Sequence, residues 1–215
     1  MKLRSKDLRL YAVTDRTWAA DSAALLRQIE DAIDGGATMV QLREKHLDEA
    51  SFLAEAEAFV SLCRRKGAIS IINDNVEIAV KTGADGVHVG QSDLEAGRVR
   101  VLLGPDKLIG VSAHNVEEAL AAQAAGADYL GTGAAFVTGT KTDAKPISKD
   151  TIRAICAAVD IPVVAIGGIT RENILELEGC GLDGVAVVSA LFAQPDPGAA
   201  AKRLRALAEE MKQED

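Results

Sequence analysis

A short phrase recurs along the chain: Gly36-Ala-Thr-Met-Val-Gln-Leu, Gly83-Ala-Asp-Gly-Val-His-Val, Gly126-Ala-Asp-Tyr-Leu-Gly-Thr and Gly181-Leu-Asp-Gly-Val-Ala-Val. Each copy follows a stretch of helical periodicity and leads into a short apolar run. Its glycine therefore reads as a helix stop and the residues after it as a strand. The copies stand roughly 45–55 residues apart, room for two strand–helix units each. Further strand candidates fall between them, at Leu8–Val13, Ile69–Ile72, Leu108–Val111 and Val163–Ile166. Helical spacing fills the rest at Ser22–Asp34, Asp48–Arg65, Val76–Lys81, Leu94–Leu103, Val116–Ala124, Ser148–Ala158, Arg171–Glu178 and Gly198–Met211. Strands alternating with crossover helices make a parallel sheet, and eight such units close into an α/β fold, the (β/α)8 TIM barrel. An open doubly wound sheet is the alternative. The first strand is not followed by G-x-G-x-x-G, which counts against a dinucleotide-binding version. No linker interrupts the pattern, so residues 1–215 are expected to form one barrel domain.

Composition narrows the partners. Aromatic residues make up 3% of the chain and the formal charge is −8. Both disfavour a nucleic-acid surface, and the charge disfavours an anionic membrane. Any anionic ligand must be held by a local cluster of cations and backbone amides. Cys63, Cys156 and Cys180 are scattered, with no C-x-x-C, and read as reduced packing thiols of a cytoplasmic protein. Met1–Asp7 is charged and lacks the apolar centre of a signal peptide. No apolar run approaches the roughly 20 residues of a membrane span. Oligomeric state is left open, and a homo-oligomer is compatible with the sequence.

In a parallel barrel the C-terminal strand ends share one face, and that face carries the chemistry. Two carboxylates, Asp74 and Asp93, stand just past the ends of successive strands. They are either helix N-caps or, as a pair of hard oxygen ligands, a site for Mg²⁺ with substrate phosphate. Strand two ends Gln41-Leu-Arg43-Glu-Lys45, and alternation sends Gln41 and Arg43 to one side of the wall. Polar residues in phase on a central strand are costly unless they bind something. Ser112 ends strand five, where it caps the next helix or donates to a phosphate. Gly133–Ile147 is the most loop-like segment, and its Thr138-Gly-Thr140-Lys141 has the parts of a phosphate cradle or of a solvated loop. The strands seven and eight run into Gly167-Gly168 and Val188-Ser189. Many barrels bind phosphate there, at the start of a short extra helix that Ser189 would open. His88 alternates with Val87 and Val89 and faces inward, as a core or a pocket residue; His46 and His114 read as structural or exposed. Tyr11 and Trp18 read as packing residues, though Tyr11 is placed to line a pocket. No Ser-His-Asp order, zinc spacing or pyridoxal signature is present. Two acids, three cations and a separate backbone-rich pocket imply two phosphorylated ligands in one mouth.

These motifs, in this order, resemble the thiamine-phosphate synthase family. The matching pieces are Leu10-Tyr-Ala-Val-Thr-Asp15, Gln41-Leu-Arg-Glu-Lys45, Ile72-Asn-Asp74, Gly86-Val-His-Val-Gly-Gln-Ser-Asp93, Val111-Ser-Ala-His114, Gly131-Thr-Gly133 with Thr138-Gly-Thr-Lys141, Ala165-Ile-Gly-Gly-Ile169 and Val187-Val-Ser-Ala190. The family joins a pyrimidine diphosphate to a thiazole phosphate, giving thiamine phosphate and pyrophosphate by a Mg²⁺-assisted dissociative route. The resemblance implies that Gln41, Arg43, Lys45, Asn73, Ser112 and Lys141 hold the pyrimidine diphosphate. Among these, Lys141, Arg43, Lys45 and Ser112 act on the leaving group. Asp74 and Asp93 would hold Mg²⁺, and Thr138, Thr140, Gly168, Val188 and Ser189 the thiazole phosphate. Asn75 stands where members often carry Arg, and Gly133–Thr138 lacks the prolines often found there. The alternatives are a thiazole tautomerase of the same fold and a non-catalytic barrel that binds phosphorylated metabolites. Retention of Arg43, Lys45, Asp74, Asp93 and Lys141 together favours the synthase.

Overall fold

The repeat glycines all lie in the left-handed half of backbone space, with φ of +116° at Gly36, +68° at Gly83, +92° at Gly126 and +79° at Gly181. A side chain there is strained, so glycine is the residue that turns each helix into the strand that follows it. The residue two places further on fastens the bottom of the barrel. The carboxylates of Asp85, Asp128 and Asp183 accept from the backbone amides of Ser70, Ile109 and Val163 at 2.8–3.0 Å. Thr38 makes the corresponding tie to the backbone of Leu10. The repeat thus has a physical cause: one stop and one clasp for every second strand.

The computed structural model describes residues 3–90, 96–138 and 146–212, with the side chains at 96 and 97 also outside the description. Eight parallel strands close in sequence order: β1 Leu10–Val13, β2 Met39–Leu42, β3 Ile69–Asn73, β4 Gly86–Val89, β5 Leu108–Ala113, β6 Tyr129–Gly133, β7 Val163–Ile166 and β8 Gly184–Val187. Around them lie α1 Ser22–Asp34, α2 Glu49–Lys66, α3 Val76–Thr82, α4 Ala96–Leu103, α5 Val116–Ala124, α6 Lys149–Ala158, the short α7 Ser189–Phe192 and α8 Pro197–Lys212. This is the (β/α)8 barrel that the repeat implied. Among the described residues, no helix is long and apolar enough to cross a membrane.

Strand alternation makes two cores. Tyr11, Val13, Met39, Ile71, Leu108, Tyr129, Val164 and Ala186 fill the barrel interior. Leu10, Ala12, Val40, Leu42, Ile72, Val87, Ile109, Leu130 and Val185 face the helices and join their apolar stripes in the larger core. Register pairs Tyr11 with Met39 and Gln41 with Ile71 in the sheet, so the inner residues stack in layers.

Two expectations are corrected. Arg171–Glu178 is not an α-helix but a turn followed by the 3-10 segment Ile174–Leu177. Asn173 competes for the backbone there: it accepts from the Thr170 amide at 2.8 Å and donates to the Gly168 carbonyl at 2.9 Å. The first strand starts at Leu10 rather than Leu8, because Ser5–Leu8 is a 3-10 turn held by the Arg4–Asp7 pair.

Candidate active site

The C-terminal strand ends surround a cavity of about 670 Å³. Gln41, Arg43, Asn73, Ser112, Thr138, Gly168, Val188 and Ser189 all line it. Lys45 and Asp74 stand beside it, joined at 3.1 Å. Asp93, Thr140 and Lys141 fall outside the described residues.

The strand pleat continues past β2 and sorts its charges. Arg43 faces the cavity; its amide donates to Thr14 Oγ1 at 2.9 Å, and its guanidinium lies 3.9 Å from the Asp15 carboxylate. Glu44 turns the other way and is almost wholly enclosed, its side chain 2% exposed. Its Oε2 accepts from Arg16 Nε at 2.7 Å. Its Oε1 accepts the amides of Lys45 and His46 at 2.7 Å and that of Leu47 at 3.3 Å. Arg16 also bonds to the buried Glu55 of α2. Burial opposes the charge on Glu44, but the Arg16 guanidinium and the amides outweigh it and hold the carboxyl below the usual range. One buried acid therefore shapes the loop that carries Arg43 and Lys45.

The β3 end offers a carboxylate. Asp74 has φ +59°, a left-handed conformation that Asp tolerates better than most residues. Its Oδ2 accepts from Asn73 Nδ2 at 2.6 Å as well as from Lys45. The cap of α3 is Asn75, whose side chain accepts from the Ile78 amide at 2.9 Å, so Asp74 is not the N-cap. Ser112 does not cap α5 either; Asn115 does. Instead Ser112 Oγ lies 3.1 Å from His88 Nε2.

On the opposite side, Ala134–Val137 folds across the end of β7. The amides of Ala135 and Phe136 donate to the carbonyls of Ile166 and Gly167 at 2.9 and 3.0 Å. Gly168 has φ +65°, and a Cβ there would come within 2.4 Å of the Val137 carbonyl oxygen. Sequence reasoning assigned this glycine to close approach of an anion; in the structure it also admits the loop. Val13, Val164, Ile166, Ile169 and Ala186 add an apolar part to the cavity wall.

Below the mouth, sequence reasoning missed a residue. Tyr129 is fully buried, and its hydroxyl lies 2.9 Å from that of Tyr11 and 3.2 Å from His88 Nδ1. Tyr129, Gly131 and Gly133 are in phase on β6, which is the signal that marks them as inward-facing. His88 lines the cavity rather than the closed core, as does His114, which pairs with Glu118 at 2.9 Å.

Among the described residues, no group of three or more His, Cys, Asp or Glu could hold a metal. Mg²⁺ does not require one, since it is bound through one or two carboxylates plus substrate phosphate. Asp74, a hard oxygen donor more than a third exposed at the rim, fits that demand.

Residues 10–191 match the family model described as thiamine monophosphate synthase. The chain is 48% identical over 203 residues to the thiamine-phosphate synthase of Ruminiclostridium cellulolyticum, covering 94% of this chain and 96% of that protein. It is 50% identical over 202 residues to that of Chloroflexus aurantiacus, covering 94% and 93%. Among solved structures, the thiamine phosphate pyrophosphorylase from Pyrococcus furiosus superposes with a TM-score of 0.88 at 36% identity, covering 97% of this chain and 98% of that one.

Proposed function

The chain belongs to the thiamine monophosphate synthase family, and on that premise we propose how its barrel mouth makes thiamine phosphate. The activity is that of a thiamine-phosphate synthase, a transferase of thiamine biosynthesis acting on a phosphorylated pyrimidine and a phosphorylated thiazole. The observation that carries the mechanism is that cationic and backbone-rich groups from different strand ends line one cavity. Arg43 and Asn73 enter it from the ends of β2 and β3, beside the Lys45–Asp74 pair, and the Gly167–Gly168 and Val188–Ser189 backbone enters it from the ends of β7 and β8.

The pyrimidine diphosphate lies against the cationic groups. Its methylene–oxygen bond breaks heterolytically, and the electron pair leaves with the diphosphate. Arg43 and Lys45, with Lys141 from the β6 loop, stabilise the charge that builds on the departing oxygen. Ser112 donates to the same group, and Gln41 and Asn73 orient the pyrimidine side. Asp74, with Asp93, would hold Mg²⁺, which when bound neutralises diphosphate charge. The thiazole phosphate is held by Thr138, Thr140, Gly168, Val188 and Ser189. That tether places the thiazole nitrogen beside the pyrimidine-methyl cation, and its lone pair forms the new C–N bond. Positioning of this kind is worth up to about 7–11 kcal/mol. No protein nucleophile enters the sequence of steps.

The test is purified protein with both phosphorylated precursors, with and without Mg²⁺, assayed for pyrophosphate and thiamine phosphate together. Equal appearance of both, only with Mg²⁺, is expected. Silence in both channels, with thiazole phosphate still bound, would move the reading to the tautomerase or the binding barrel.

A further inference from the structure

A line of hydrogen bonds crosses the cavity floor. Gln41 Nε2 donates to the Tyr11 hydroxyl at 2.6 Å, the Tyr11 and Tyr129 hydroxyls lie 2.9 Å apart, and Tyr129 reaches His88 Nδ1 at 3.2 Å. His88 Nε2 then meets Ser112 Oγ at 3.1 Å. We propose that Tyr129 is a positioning residue whose hydroxyl proton, donated to His88 Nδ1, fixes the Nε2–H tautomer of His88 and thereby turns the Ser112 hydroxyl into a donor. The inference rests on the reading of Ser112 as a group that faces the departing diphosphate.

The direction of the line follows from counting protons. An amide nitrogen donates and does not accept, so Tyr11 receives from Gln41 and must give its own proton to Tyr129. Tyr129 has then accepted once, and its single proton goes to His88 Nδ1. A ring nitrogen that accepts leaves the proton on the other one, so Nε2–H donates to Ser112 Oγ. The Ser112 proton is thereby directed away from His88. Both phenols keep their protons, because burial raises each well above the ordinary tyrosine value. Donation from the imidazole also polarises the serine O–H and strengthens it as a donor.

The fold makes room for this contact. A Cβ at position 110 would lie 2.1 Å from Tyr129 Cζ and 2.5 Å from His88 Nδ1, so the absence of a side chain on β5 lets the two rings meet. Their centroids are 5.5 Å apart, tilted at 45°. A phenylalanine at 129 would keep the buried ring and its contacts with Tyr11 and His88; the phenol adds a hydroxyl that the barrel must satisfy.

The chain holds three histidines, so ¹⁵N-histidine labelling with NMR reads the tautomer directly, His88 being assigned by substitution. The ligand-free enzyme is expected to show protonated Nε2 and unprotonated Nδ1. An Nδ1–H tautomer or an imidazolium would overturn the proposal without any kinetic measurement. Tyr129→Phe keeps the ring and is expected to release the tautomer into a mixture. Tyr11→Phe removes the donor that commits the Tyr129 hydroxyl proton to Nδ1, so it is expected to weaken the Nε2–H preference as well; a tautomer unchanged in Tyr129→Phe refutes the relay. In turnover, Tyr129→Phe is expected to lower kcat roughly 10- to 100-fold with the thiazole phosphate KM unchanged. That is below the 10²–10³ that loss of a transition-state donor itself costs. Combined with Ser112→Ala it should lose no more than Ser112→Ala alone, whereas a merely structural role would add its effect. A Ser112→Ala enzyme of unchanged kcat would overturn the reading of Ser112 at the diphosphate and the kinetic half of this proposal. An Nε2–H result would still uphold the orienting half.

Discussion

Glu44→Gln tests whether a buried acid, rather than the cations beside it, shapes the part of the site proposed to take the diphosphate. Glu44 accepts from Arg16 through one oxygen and from three backbone amides through the other. A glutamine cannot serve both. Whichever way it turns, its NH2 meets donors, either the guanidinium or the amides of residues 45–47. A lost charge-assisted hydrogen bond costs about 1.5–3 kcal/mol, and a buried donor without an acceptor about 1–3 kcal/mol. Arg16 is 24% exposed, so water relieves part of this and about 3 kcal/mol is expected. For a chain of this size, Tm should fall by roughly 6–12 °C, at about 2–4 °C per kcal/mol. The pH dependence follows from the depressed carboxyl of Glu44. A lowered folded pKa contributes stability above the ordinary glutamate value, about 4.3, and loses it as pH falls through the folded value. Thermal unfolding across pH should therefore show a gap between the two proteins that is constant above about pH 5 and closes in acid. A difference under about 0.5 kcal/mol, typical of a screened surface pair, or a gap that persists unchanged at low pH, would refute the reasoning. Kinetically, the pyrimidine diphosphate KM should rise more than the thiazole phosphate KM.

Lys141→Ala should lower turnover far more than thiazole phosphate affinity, read by kcat against equilibrium binding; equal losses would remove its role at the leaving pyrophosphate. Asp74→Asn keeps a residue that tolerates φ +59°, so it should fold normally yet need at least about tenfold more Mg²⁺ for half-maximal rate, measured by metal titration. Gly168→Ala combines φ +65° with a 2.4 Å approach to the Val137 carbonyl. Beyond the roughly 1–2 kcal/mol of left-handed strain, it should displace the loop and raise the thiazole phosphate KM, seen in steady-state kinetics and a melting curve. Cys63 is buried, and burial with the nearby Asp85 charge pushes its thiol up to about 12. It should react with a thiol reagent only after unfolding, read by absorbance with and without denaturant.

The barrel was legible because its repeat records local necessities. A glycine is favoured where each repeat turns from helix to strand at positive φ, and a short acceptor must stand where the next strand amide needs one. Gln41 and Arg43 were legible through the pleat, which has the same period in every strand. Tyr129 was not, since an aromatic residue on a buried strand reads as core. Its significance lies in a partner 118 positions away, Tyr11, and in a glycine at 110 that no pattern on β6 predicts. Asp74 was undecided between cap and ligand because the two differ by which neighbour takes the helix; Asn75 takes it. Glu44 sat unread between Arg43 and Lys45 because adjacent charges look like one solvated run until the pleat is followed beyond the strand.

That alternation also answers how a chain of charge −8 can hold two anions. Among the described residues, the cations Arg16, Arg43 and Lys45 near the mouth are countered by acids, but unequally. Arg16 is locked between Glu44 and Glu55, whose side chains are nearly enclosed. Arg43 meets Asp15 only at 3.9 Å, and Lys45 and Asp74 pair at 3.1 Å with both partners more than a third exposed. Loose, hydrated pairs are worth about 0–1 kcal/mol, so a multiply charged diphosphate can draw those cations from their carboxylates at little cost. The locked pair is the one that must not exchange, for it holds the loop on which the loose cations stand. Under the proposed mechanism the acids at the mouth are temporary counterions for Arg43 and Lys45. They keep those side chains ordered and placed before the substrate arrives, so less of the binding energy is lost to ordering them.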